Sequence, residues 1–157
     1  MSAAARASFK VGMIQMRSGL DPATNLAAAL GLIDQAKTAG ADYVLTPEMT
    51  NILAIKREHL FANIVVEEQD STLATLREVA RQLAIYIHIG SLAIKTSPEK
   101  AVNRSFLIDR KGEVAARYDK ITCSTSISRM VKAIASPIPI VPASLPLSRI
   151  YPGAASA

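Results

Sequence analysis

Apolar and polar positions change period several times along the chain, and each change marks an element. Phe9-Lys10-Val11-Gly12-Met13-Ile14-Gln15 alternates, which predicts a first strand, mostly buried. Asp21 is a natural N-cap and Pro22 suits the first helical position. A helix should run from there to about Ala39, with Leu26, Leu30, Ile33 and either Ala36 or Lys37 on one face, and Gly40 just past its end. Tyr43 to Thr46 reads as a buried strand, closed by Pro47, which cannot donate to a ladder. Strand, helix, strand with such short connections is a βαβ unit, and its crossover should be right-handed.

The stretch Asn51 to Gln69 is less regular. Asp70 or Ser71 then caps a second helix, with Leu73, Leu76, Ala80 and Leu83 at helical spacing. Ile85 to Ile94 is rich in β-branched residues and predicts a strand. A turn around Pro98, a strand over Ala101 to Ile108, a hairpin turn at Asp109-Arg110-Lys111-Gly112 and a returning strand from Glu113 to Tyr118 follow. Beyond Ile121 the pattern breaks. Thr122 to Ser128 is rich in Ser and Thr, and Pro137, Pro139, Pro142, Pro146 and Pro152 interrupt an apolar stretch. Neither a central strand nor a helix tolerates that spacing, so residues 122–157 should be irregular or disordered.

Composition narrows the classes. A length of 157 residues suits one domain, and half the residues are apolar. Only 4% are aromatic and Trp is absent, so the core must be built from Ala, Leu, Ile and Val. The net charge of +5 is uneven. The segment after Lys120 holds Arg129, Lys132 and Arg149 and no acid, which leaves a nearly neutral body without a basic stripe and argues against nucleic acid as a partner. A single Cys excludes an internal disulfide framework and fits a reducing compartment. No apolar run approaches the roughly 20 residues that span a bilayer. Met1 to Ser8 lacks the apolar core of a signal peptide. These features predict a cytoplasmic chain with no membrane partner.

Candidate chemistry centres on Glu48. It lies just past a strand end, where open α/β sheets place their ligand sites. Flanked by Leu45 and Met49 it should be partly desolvated, which suits a general base; the plain alternative is a solvated glutamate in a loop. Lys56, Arg57, Glu58 and His59 read as a solvated face, and His88, alternating with isoleucines, as a packed or hydrogen-bonded histidine. No Cys/His/Asp cluster has metal-ligand spacing, so neither metal nor cofactor is expected. A flavodoxin-like cofactor domain is disfavoured, because Met16-Arg17-Ser18-Gly19 is not a glycine-rich phosphate loop.

Taken in order, the opening strand with Gln15, the helix after Asp21, Pro47-Glu48, Asn103-Arg104-Ser105-Phe106-Leu107-Ile108-Asp109, Gly112 and Tyr118-Asp119-Lys120-Ile121 resemble the first half of the nitrilase superfamily, the carbon–nitrogen hydrolases. Within it the chain looks most like the omega-amidase and deaminated-glutathione-amidase branch. The resemblance implies an α/β fold: part of an α-β-β-α sandwich, the first half of a sheet with two helices, over residues 9–121. It implies a small amide or nitrile as substrate, no cofactor and a homo-oligomer, since the family is usually dimeric or larger. Its Glu-Lys-Cys triad maps Glu48 to the general base and Lys120 to the group that stabilises the tetrahedral intermediate. The thiol needs a base, and the attacked carbon needs a positive donor where negative charge develops. The family's nucleophile lies well downstream of the lysine at a strand-to-helix elbow. Cys123, three residues past Lys120 and with no elbow glycine, is not expected to serve.

A lost nucleotide at the Ile121 codon would account for the break. Re-reading each residue from the last base of one codon and the first two of the next permits a run with the acids that the tail lacks and with aromatics, of which the tail holds only Tyr151. The unique Met codon at Met130, read with Val131, forces a glycine. On this reading 122–157 is out of frame and the chain is an inactive, truncated relative. The alternative is a non-catalytic remnant that binds an intact homologue.

Overall fold

In the computed structural model, which describes residues 9–121, the first helix begins as its sequence dictates. Asp21 accepts hydrogen bonds from the N–H groups of Ala23 and Thr24, and helix α1 runs over Pro22–Thr38. Gly40 follows at φ +87°, a left-handed conformation that suits glycine. Ile33 is fully buried and Ala36, not Lys37, turns inward beside Leu26 and Leu30. Asp70 caps helix α3, Ser71–Leu83, by accepting from the Leu73 N–H. Leu73, Leu76 and Ala80 are its buried stripe. Between them lies a short helix that the sequence pattern did not predict, α2 over Arg57–Asn63, with no buried residue. Ile52, Ile64 and Ala93 form a small core of their own, against which Leu60 and Phe61 of α2 pack.

The strands are β1 Val11–Met13, β2 Tyr43–Thr46, β3 Tyr86–Ser97, β4 Lys100–Ile108 and β5 Val114–Asp119. They form one sheet in chain order, with β1, β2 and β3 parallel and β3, β4 and β5 antiparallel. That order explains the layers. Two successive crossovers of the same hand, stepping in the same direction across the sheet, put both helices on the same face. Accordingly α1 and α3 share one core with Val44, Ile87, Ile89, Phe106 and Ile108.

Neither α1 nor α3 covers the opposite face, and α2 packs on it at one end, where Leu60 and Phe61 meet the small core around Ala93 and Ala101. This corrects the expectation of a mostly buried first strand. Strand β1 is shorter than the alternating run and sits at the sheet edge, with Val11 49% and Met13 78% exposed, because only its alternate residues meet the helices. Phe9 and Tyr118 are likewise exposed. Register places Met13, Leu45, His88, Leu107 and Ala116 in one row across this open face. The chain by itself should therefore bind a hydrophobic dye or self-associate, since soluble monomers rarely expose apolar patches beyond a few hundred Å². Dye fluorescence and sedimentation check this, and a dye-silent monomer with a sharp cooperative melt would refute it. His88 is hydrogen-bonded as expected, its Nδ1 lying 2.7 Å from the Tyr43 hydroxyl. The expectation of an irregular segment over 122–157 lies outside the described residues.

Candidate active site

The candidate general base is carried by the loop that leaves β2. Pro47 ends the strand, and the next residues are fastened to an irregularity in β3. The β3–β4 register slips between Ile89 and Leu92, a bulge at Gly90-Ser91. Ser91 then makes three bonds to the loop. Its N–H donates to the Pro47 carbonyl at 3.3 Å, its Oγ accepts from the Met49 N–H at 2.9 Å, and its carbonyl accepts from the Thr50 N–H at 2.9 Å. Met49 is held at φ +57°, a left-handed conformation unusual for a side chain with a Cβ. Strain of this kind persists only where the surroundings enforce it, and it sits directly after Glu48.

A buried polar network anchors the far end of the same loop. Asn51 donates from Nδ2 to the Ala93 carbonyl and to Asp70 Oδ2, and accepts from the Ala93 N–H. Asn25 on α1 donates to the Asn51 carbonyl. Asn25, Asn51 and Asp70 are all buried, and burial pushes the Asp70 carboxyl above the ordinary aspartate range, against the hydrogen bonds from Leu73 and Asn51.

Lys120 follows the last residue of β5, and strand alternation decides which way it faces. Asp119 pairs with Arg104 across β4 and β5, and the Arg104 guanidinium grips both its carboxylate oxygens, at 2.5 and 2.8 Å. Arg104 also donates to Glu67, as does Arg117. These pairs lie on the helix-covered side of β4. The next residues, Asn103 and Lys120, therefore face the other side, where the Lys120 N–H donates to the Asn103 carbonyl. There Lys120 Nζ reaches Glu48 Oε1 at 2.7 Å, and Asn103 Nδ2 donates to the same oxygen at 2.7 Å. Two residues 72 apart in sequence meet because β2 and β5 end toward the same side of the open face.

Glu48 and Lys120 border a cleft of about 390 Å³, lined also by Gly90, Ser91, Asn103 and Tyr118. The sequence reading expected a partly desolvated Glu48. Its side chain is instead 47% exposed, because Leu45 and Met49 flank it along the chain without covering it. Sequence reasoning singled out Glu48 and Lys120 and gave Asn103 no role. Its signal was an asparagine, a poor strand former, amid a strand. Cys123 lies outside the described residues.

The ionic network on the helix-covered side of β4 sets a pH dependence. The Arg104 hydrogen bonds hold Asp119 below the usual carboxylate range despite some burial. Burial alone would push Glu67 up, but Arg104 and Arg117 outweigh it and hold it down. Carboxyls lowered in the fold stabilise it above their unfolded values near about 4, and that stability is lost as pH falls through the lower folded values. Asp70, raised by burial, acts in the opposite sense, its contribution being lost as pH rises. Asp21 and Glu78 are lowered as well, by their hydrogen bonds to Thr24 and to Arg81, so with four carboxyls against one the urea midpoint should fall as pH drops below about 4, and Arg104→Ala should flatten part of that fall. An acid limb unchanged in the variant would refute the assignment.

Among the described residues no group of His, Cys, Asp and Glu could hold a metal, and no helix is long and apolar enough to cross a membrane. Comparison with known proteins adds the family. The carbon–nitrogen hydrolase profile matches residues 10–143. The chain is 33% identical over 114 residues to the deaminated glutathione amidase of Yersinia enterocolitica, covering 71% of this chain and 39% of that protein. It is 34% identical over 115 residues to the nitrilase and fragile histidine triad fusion protein of Drosophila melanogaster, covering 73% of this chain and 24% of that one. The chain thus spans well under half the length of these relatives. Its structure is similar to an amidase from Nesterenkonia sp., with TM-score 0.63 and 29% identity over 73% of this chain and 43% of that one. The C. elegans NitFhit protein shares the fold, with TM-score 0.64 and 24% identity over 72% of this chain and 28% of that one.

Proposed function

We propose that this chain, which belongs to the carbon–nitrogen hydrolase family, carries two of the three catalytic groups of an amide- or nitrile-cleaving site. In this reading Glu48 is the general base and Lys120 stabilises the tetrahedral intermediate. The observation that carries it is their meeting at 2.7 Å in an open cleft beside strand ends. A carboxylate there can take the proton of an attacking thiol. An ammonium fixed beside it can face the negative charge that develops on the attacked group. The substrate class is a small amide, by analogy with relatives named as amidases.

The nucleophile is the missing part. Cys123 is the chain's only cysteine, and three residues of separation from Lys120 do not suit a nucleophile carried on a separate elbow. We read residues 9–121 as the N-terminal part of the hydrolase domain and 122–157 as chain read out of frame. The family match itself runs on to residue 143, so the frame reading rests on codons and composition and not on where the match ends. The 157 residues alone should then hydrolyse no amide or nitrile. Ammonia release from a panel of small amides, assayed at high protein concentration, tests this. Thiol-dependent turnover that vanishes on Cys123→Ala would overturn it.

A further inference from the structure

We infer that Asn103 is a positioning residue for this site: it fixes one oxygen of Glu48 and leaves the other to act as the base. This rests on the reading of Glu48 as that base. Both donors that reach the carboxylate, Lys120 Nζ and Asn103 Nδ2, bind Oε1. Among the described residues Oε2 accepts no hydrogen bond. An ionised carboxylate only accepts, so its Oε1 fixes the orientation of the Asn103 amide. The same residue holds the second group through its backbone, since its carbonyl accepts from the Lys120 N–H at 2.9 Å. One position on β4 thus sets both the carboxylate and the start of the lysine.

This arrangement also carries a cost. Asn103 Oδ1 is buried and, among the described residues, has no hydrogen-bond partner. Buried acceptors left unpaired are uncommon and unfavourable, and they ask for an explanation. Turning the amide over to expose Oδ1 to Glu48 would set two acceptors against each other. The orphaned oxygen is therefore a consequence of directing Nδ2 at Glu48. A side chain of the same shape without polar atoms would remove that penalty and lose only the bond to Glu48.

Asn103→Leu in the full chain separates the roles. NMR relaxation of ¹³C-labelled glutamate methylenes reads the order of the Glu48 side chain, with exposed Glu58 as the internal standard. Wild-type Glu48 should be clearly more ordered than Glu58, and Asn103→Leu should lower its order to that level while the melting temperature stays unchanged or rises. The population of the fixed rotamer should drop about fivefold on loss of one such bond. Asn103→Ser, which keeps a polar side chain too short to reach, should give the same loss of order and covers a failure of the leucine variant to fold. An ordered Glu48 in either folded variant, or a marked drop in melting temperature with order retained, overturns the proposal and leaves the Glu48–Lys120 reading standing. A wild-type Glu48 as mobile as Glu58 overturns both.

Discussion

Gly90→Ala should destabilise the fold by about 2–4 kcal/mol, combining overpacking with the loss of one or two hydrogen bonds. A Cβ at Gly90 would lie 2.4 Å from the Thr46 carbonyl oxygen and 2.7 Å from the Pro47 carbonyl carbon. Both are backbone atoms, so no flexible side chain can swing aside. Either the bulge in β3 or the end of β2 must move. The Gly90 N–H also donates to Thr46 Oγ1, and its carbonyl accepts from Ser105 Oγ. Displacing the bulge therefore loosens the three Ser91 bonds that hold the Pro47–Thr50 backbone, and with it the Glu48 carboxylate. Urea unfolding measures the loss. A variant within about 0.5 kcal/mol of wild type, the range of ordinary surface changes, would show that the loop is not fastened at this point. Gly112→Ala provides the contrast. It should also destabilise, since φ is +80° and a Cβ would meet the Arg77 carbonyl at 2.6 Å, but without disturbing the loop that carries Glu48.

What could be read from the chain was local. The Asp21-Pro22 cap, the Asp70 cap, the turn at Gly112 and the strand closed by Pro47 follow from adjacent residues, and each formed where the pattern placed it. Glu48 came from its place just past a strand end, Lys120 from the family resemblance, and the fold brings them together. What was not legible depends on distant parts of the chain. The exposure of β1 follows from the strand order, which a βαβ pattern alone does not give. The burial of Asn25 and Asn51 needs both a helix and the loop after β2, so neither residue announces its partner. The bulge left one trace, a lone glycine inside a strand, which marks a close backbone approach. The partner of that approach, the Thr46–Pro47 backbone, is invisible until β2 and β3 pair.

Restoring one nucleotide at the Ile121 codon should turn a chain expected to release no ammonia into a hydrolase, the largest effect expected of any change to this molecule. Two features meet at that codon. The pattern of strand, cap and turn signals breaks there, although the family match runs on to residue 143, and the shifted frame supplies the acids that residues 122–157 lack and the aromatics that 122–150 lack. The restored product should carry a cysteine at a strand-to-helix elbow, and its second sheet should cover the face that now exposes Val11, Met13 and Tyr118. It should release ammonia from a small ω-amide or a carboxylate-bearing amide. In that protein Glu48→Gln and Lys120→Ala should each lower kcat by about 10³-fold or more, with the double variant little worse than either, because groups that act as one unit are not additive. Glu48→Gln keeps an oxygen for Lys120 and Asn103 to bind, so its loss would report the missing base and not a collapsed cleft. An early stop in the restored frame, or a product without a cysteine beyond Lys120, would make residues 122–157 an authentic part of the protein. A restored protein in which Glu48→Gln retains full activity would instead remove Glu48 from the chemistry while leaving the frame account intact.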